Sequence, residues 1–225
     1  MSIWTRISEA LASLAAGEGL AAVFDRLKSP PQRSIAFTIA VIALGAKMAK
    51  ADGRVTRNEV AAFREVFTIP EGEERNAARV FNLARQDVAG FQVYARRIAR
   101  MFENDRQTRI DLLEGLFHIA VADGEYHAAE DAFLAEVAAI LGLDGMCFRS
   151  LRARFAPEAG PDPYAILGLA PDASLDEARA AWRAAVMECH PDRMIARGVP
   201  PEAVRLAETR LRAVNDAWDD IRRAA

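Results

Sequence analysis

An all-helical protein is what this sequence predicts, on three observations. Apolar residues recur at spacings of three and four along almost the whole chain, Ala and Arg fill the positions between them, and no segment alternates apolar with polar residues as a half-buried strand does. Asp-Gly pairs, prolines and capping patterns then cut the chain into pieces of single-helix length. Ile3, Trp4, Ile7, Leu11 and Leu14 form one apolar face of an N-terminal amphipathic helical segment, residues 1–28. Such a face either docks on its own domain or lies on a membrane surface, and docking is the simpler reading. Ser29 followed by Pro30-Pro31 combines an N-cap residue with proline at the first helical position, opening a helix to about Lys50 that Asp52-Gly53 ends. Thr56 and Glu59 have capping-box spacing, so a new helix starts there and ends near Phe67. Further helices are expected at about 71–86, 88–103, 105–122, 128–141 and 144–155, punctuated by Pro70, residues 87–90, Asp123-Gly124 and Gly142. Residues 156–162, rich in Pro and Gly and poor in apolar side chains, read as a linker between two domains, 29–155 and 163–225.

Composition bounds what the chain can do. Its 225 residues are 52% hydrophobic and 27% charged, which suits one or two packed cores and argues against disorder. A formal net charge of -3 supplies no general attraction for phosphates, so nucleic acid is not an expected partner. Cys147 and Cys189 stand far apart with no CxxC pair, which implies neither a disulfide scaffold nor a zinc site and fits a reducing cytosol. Arg6, Glu9 and Glu18 interrupt the N-terminus where a secretory signal would be continuously apolar. The longest uncharged run, residues 34–46, falls short of the roughly 20 residues that cross a bilayer. No transmembrane segment is expected. The expected location is the cytoplasm, with peripheral contact at the inner membrane as the membrane-linked option.

The strongest chemical signal lies in DPYAILGLAPDASLDEARAAWRAAVMECHPDRM and the following PEAVRLAETRLRAVNDAWDDI. Ser174 and Glu177 form a second capping box. Leu175, Ala178, Trp182, Ala185, Val186 and Cys189 make one apolar stripe on the helix it opens. Leu211, Val214, Trp218 and Ile221 make the matching stripe on the last helix. Two such stripes predict an antiparallel hairpin, closed at its open end by Tyr164, Leu167 and Leu169. The segment from His190 to Pro200 is left at the tip. Pro191 is expected to stop the helix and hold its neighbours extended, so that His190 and Asp192 project outward. No second His or Cys stands at ligand spacing near His190, which argues against a metal or catalytic pair. A merely solvated proline turn is the remaining bland reading of the tripeptide taken alone.

The ordered set of PYAILGL, an amphipathic helix, His190-Pro191-Asp192 and a second long helix with Asn215-Asp216-Ala217-Trp218 resembles the J domain of the DnaJ (Hsp40) family. The resemblance implies a co-chaperone and no enzyme activity in this chain. Its partner would be an Hsp70 (DnaK-type) chaperone, which binds the ATP itself and hydrolyses it faster once engaged. His190, Pro191 and Asp192 in the loop, Arg179 and Arg183 on the helix, and Arg193 occupy the matching Hsp70-binding positions. Ala184 and Glu188 stand at commonly basic or polar positions, so weaker steering towards an acidic partner is expected. Trp182 and Trp218 replace the usual tyrosines as larger aromatic packing.

The first domain carries a weak duplication, AKADGRVTRNEVAAFREV and AVADGEYHAAEDAFLAEV, each a helix, an Asp-Gly turn and a helix. These paired hairpins resemble the TerB-like tellurite-resistance module over roughly residues 35–155. A TerB-like bundle at 29–155 followed by a J domain at 163–225 resembles the bacterial DjlA-type co-chaperones, in which the N-terminal domain would recruit a client or docking protein. Asp52 with Glu59, and Asp123 with Glu130, could jointly hold a divalent cation. The preferred reading is structural, with Asp at the turn and Glu closing a capping box. Arg96, Arg97 and Arg100 read first as a solvated helix face. The competing reading of the whole is a stress-linked scaffold or cation-binding module with a weakly active J domain.

Overall fold

A computed structural model describes residues 3–12, 23, 33–51, 74–86, 90–122, 124–155, 162–196, 199 and 204–224. Among these the chain is helical with no strand. The helix start at Ser29-Pro30, the capping box at Thr56 and Glu59, the helix end near Phe67 and most of the 156–162 linker lie outside the described residues.

The first unit is built from α1 (Ile3–Ala12), α2 (Arg33–Ala51), α3 (Glu74–Gln86), α4 (Phe91–Met101), α5 (Arg106–Ala120), α6 (Ala128–Ile140) and α7 (Gly145–Phe155). A helix that is apolar on every side has to be surrounded, and residues 35–48 of α2 are all buried. Helices α1, α3, α4, α5 and α6 pack against it. Lys47, the charged exception, places its ammonium 5.3 Å from the centre of the Tyr94 ring on α4. Ile7 and Leu11 of α1 are 0% and 3% exposed, and Ser8 Oγ donates to Asn76 Oδ1 of α3 at 2.6 Å. Helix α1 therefore docks on its own domain through Ile7 and Leu11. No helix among the described residues is long and apolar enough to cross a membrane.

Helix α5 is the second buried rod, with α6 and α7 against it. Asp105 caps it by accepting from Thr108 N at 3.0 Å, and Asp144 caps α7 by accepting from Cys147 N at 2.8 Å. That bond holds the Asp144 carboxyl below the usual carboxylate range.

The second unit comprises α8 (Pro163–Ile166), α9 (Leu175–Glu188), α10 (Pro191–Ala196) and α11 (Val204–Ala224). Asp162 accepts from Tyr164 N and Ala165 N, and Pro163 fills the first helical position of α8. Gly168 ends that turn at φ 72°, where Leu169 N reaches back to Tyr164 O at 2.9 Å; a side chain there would be strained. Helices α9 and α11 pair around Ala178, Val214, Ala217 and Ile221, with Ile166 and Leu167 of the α8 segment in the same core. Tyr164, Leu169, Trp182, Val186 and Trp218 pack against that core, while Leu211 is half-buried. Trp182 and Trp218 stack with ring centres 5.4 Å apart, and Trp182 Nε1 donates to Asn215 Oδ1 at 2.9 Å. Leu175, expected in the stripe, is 44% exposed. It sits in the first turn at the stripe's edge, so the buried face begins at Ala178.

Ser174 and Glu177 form the capping box, with Ser174 N to Glu177 Oε2 at 2.8 Å and Glu177 N to Ser174 Oγ at 3.3 Å. The serine's hydrogen bonds hold the Glu177 carboxyl below its usual value. A carboxyl depressed on folding helps the fold above its unfolded pKa and stops helping as pH falls through the folded one. Protection of the Ser174 amide, its exchange rate taken relative to intrinsic exchange at the same pH, should therefore fall on acidification into that range. In Glu177→Ala that protection should already be low at neutral pH and lose its pH dependence.

Candidate functional site

Cys189 ends α9, its N–H bonded to Ala185 O, and is itself buried. The chain then turns out of the hairpin. His190 and Asp192 are exposed, their side chains 62% and 89% accessible. Asp192 N donates to His190 Nδ1 at 3.3 Å, so a neutral ring carries its proton on Nε2. The carboxylate of Asp192 lies 3.8 Å from the same Nδ1, a contact that counts only for an imidazolium. The outward aspect expected of His190 and Asp192 holds. The extended backbone does not, because Pro191 opens the short helix α10. Proline suits the first position of a helix, where its missing N–H would have had no intrahelical partner. Arg193 N and Met194 N both bond to His190 O, so the imidazole sits at the start of a closed turn.

Arg179 and Arg183 are exposed on α9, with Met187 beside them at 55% exposure. Arg193 Nη1 pairs with Glu188 Oε1 at 2.9 Å across the turn. Ala184 and Glu188 border a cavity of about 410 Å³ whose other wall includes Arg106 and Cys147 of the first unit. These two non-basic positions therefore border the N-terminal unit. Glu130 accepts from His127 N at 2.9 Å as a capping residue, whereas Asp52, Glu59 and Asp123 lie outside the described residues. Among the described residues no group of three or more His, Cys, Asp or Glu side chains converges to hold a metal.

Sequence reasoning missed a buried charge cluster joining the two units. Asp111 and Glu114 on α5 are 0% and 1% exposed. Arg210 of α11, 5% exposed, donates from Nη2 to Asp111 Oδ1 at 2.7 Å and also contacts Glu114 Oε2. Arg154 of α7 donates to Glu114 Oε1 at 3.0 Å, and burial pulls its guanidinium down to about 10, still charged at neutral pH. The signal was present: Arg210 lies among Leu206, Ala207 and Val214 on the buried face of α11, and the two carboxylates interrupt the apolar run of α5. Ser150 Oγ adds a bond to Ile166 O at 3.0 Å.

An exposed His-Pro-Asp turn at the end of a helical hairpin is the geometry of a J domain. Known proteins agree. The chain belongs to the family of tellurite resistance protein TerB, whose family model matches residues 38–153, and the DnaJ domain model matches residues 162–223. Its relatives include the co-chaperone protein DjlA of Photobacterium profundum, 28% identical over 85% of this chain and 79% of that one. The DjlA proteins of Shewanella oneidensis and Coxiella burnetii are each 26% identical, over 78% of this chain and 72% and 73% of theirs. No solved structure matches the chain.

Removing one member of a buried charge pair leaves the other uncompensated, at a cost of about 3–5 kcal/mol. Arg210→Met and Asp111→Leu should each lower stability by that order in denaturant titrations. The double variant, which leaves the Arg154 and Glu114 pair intact, should recover most of the loss.

Proposed function

We propose that this chain is a co-chaperone whose J domain stimulates ATP hydrolysis by an Hsp70-type partner. The observation that carries the reading is the exposed imidazole and carboxylate of His190 and Asp192 next to the Arg179 and Arg183 face of α9. Asp192 offers a carboxylate to a guanidinium on the partner, a charge-assisted bond that a neutral side chain cannot replace. His190 presents an exposed ring whose Nδ1 is engaged by its own turn, which leaves Nε2 as the donor of the neutral form. Pro191 starts α10 between them and limits how far either can turn inward. The two arginines supply attraction for an acidic surface. ATP binds to the partner, and the N-terminal domain recruits a client or fixes a location, in keeping with the co-chaperone name of the DjlA relatives. The cytoplasm, a role in folding or stress response, and the division at 156–162 belong to the same proposal.

Steady-state ATPase of an Hsp70 partner, measured with increasing amounts of the full chain, tests the reading. Stimulation is expected with the wild type and is expected to vanish with His190→Gln. Absence of stimulation at any concentration would leave the scaffold reading, which the non-basic Ala184 and Glu188 favour.

An exposed ion pair contributes up to about 1 kcal/mol and is screened by salt. Arg183→Ala should therefore raise the half-saturating concentration by up to about fivefold at low ionic strength, from about 1 kcal/mol. The difference should shrink at high salt while maximal stimulation is retained.

A further inference from the structure

We infer that the N-terminal domain braces the loop carrying His190 and Asp192, with Met194, Val199 and Leu206 as positioning residues; this extends the J-domain reading to how its site is held. The distribution of buried apolar side chains supports it. The hairpin has its own core of Ile166, Leu167, Ala178, Val214, Ala217 and Ile221. Met194 and Val199, each 1% exposed, are not in it. With Leu206 and Ala207 at the start of α11, they belong to the continuous core of the first unit, together with α2 and α5. Leu206 is the joint between them. Its Cδ1 lies 3.8 Å from where a Cβ on Gly115 of α5 would stand. One turn further along α11, Arg210 reaches Asp111 and Glu114 on the same helix.

The turn thus has two faces with different duties. His190, Asp192, Arg193 and Ile195 are exposed, while Met194, within that same short helix, is buried in the first core. Val199 N bonds to Met194 O at 3.0 Å and ties the two anchors together. A loop fixed before its partner arrives loses less freedom on binding, so more of the contact energy appears as affinity. This offsets a helix that lacks basic residues at Ala184 and Glu188.

The test uses the full chain and two readouts. The amides of Arg193, Met194 and Val199, all bonded within the turn, should exchange at least about tenfold more slowly than unstructured amides. Leu206→Ala and Met194→Ala should each accelerate them by about tenfold or more. The Ala178 and Cys189 amides of α9 should keep their wild-type rates. In the partner ATPase the same variants should raise the half-saturating concentration several-fold and leave maximal stimulation unchanged, unlike His190→Gln. Turn amides exchanging at unstructured rates in the wild type would overturn the brace, and that measurement needs no variant to fold. Equal acceleration of the α9 amides, or loosened turns with wild-type half-saturation, would overturn it too. The exchange readout involves no partner, so a failed brace and a failed Hsp70 reading give different results.

Discussion

Two carboxylates inside an apolar helix constrain much of this molecule. Asp111 and Glu114 are carried into the interior by leucines and isoleucines on either side of them in α5, where an unpaired charge costs several kcal/mol. Arg154 reaches Glu114 from within the N-terminal unit, and Arg210 reaches both acids from the last helix of the J domain. A hydrophobic contact tolerates sliding, whereas a guanidinium bonded to two carboxylates on one helix has few equivalent positions. Through that geometry α11 is registered against α5, and with it the hairpin and its turn.

That registration changes what the J domain is in this chain. A hairpin with a free tip would keep its loop mobile and depend on charge to find its partner. Here the hairpin stacks Trp182 on Trp218 and buries Ala178 among its own neighbours, yet gives Met194 and Val199, beyond the His-Pro-Asp turn, to the other unit's core. His190 and Asp192 are exposed on one side of the turn while Met194 and Val199 are buried in that core. The non-basic Ala184 and Glu188 make sense in the same frame, since they border the cavity between the units while Arg179 and Arg183 face solvent.

Local rules were readable because they involve neighbours in sequence. Ser174 with Glu177, Gly142 at a helix end, and the three-and-four spacing of the two hairpin helices follow from backbone amides that need partners and apolar faces that need cover. Leu175 failed because periodicity identifies a face and not where along it the neighbouring helix begins. The backbone at Pro191 failed because proline is compatible both with stopping one helix and with starting the next. Arg210 could have been singled out as a charge on an apolar stripe, but nothing local to it names Asp111 and Glu114.

By itself, then, the sequence determined the helical class, the ends of many helices, the two-domain order and the outward aspect of His190 and Asp192, all of which rest on residues a few positions apart. The tertiary structure alone decided that α1 docks on the bundle, that Met194 and Val199 join a core built mainly from the other domain, and that Arg210 meets its carboxylates. Those outcomes pair residues separated by 99 and 96 positions in the case of Arg210. Burial makes such pairings compulsory by penalising every unpaired charge and uncovered methylene, but it leaves the choice of partner to the three-dimensional packing.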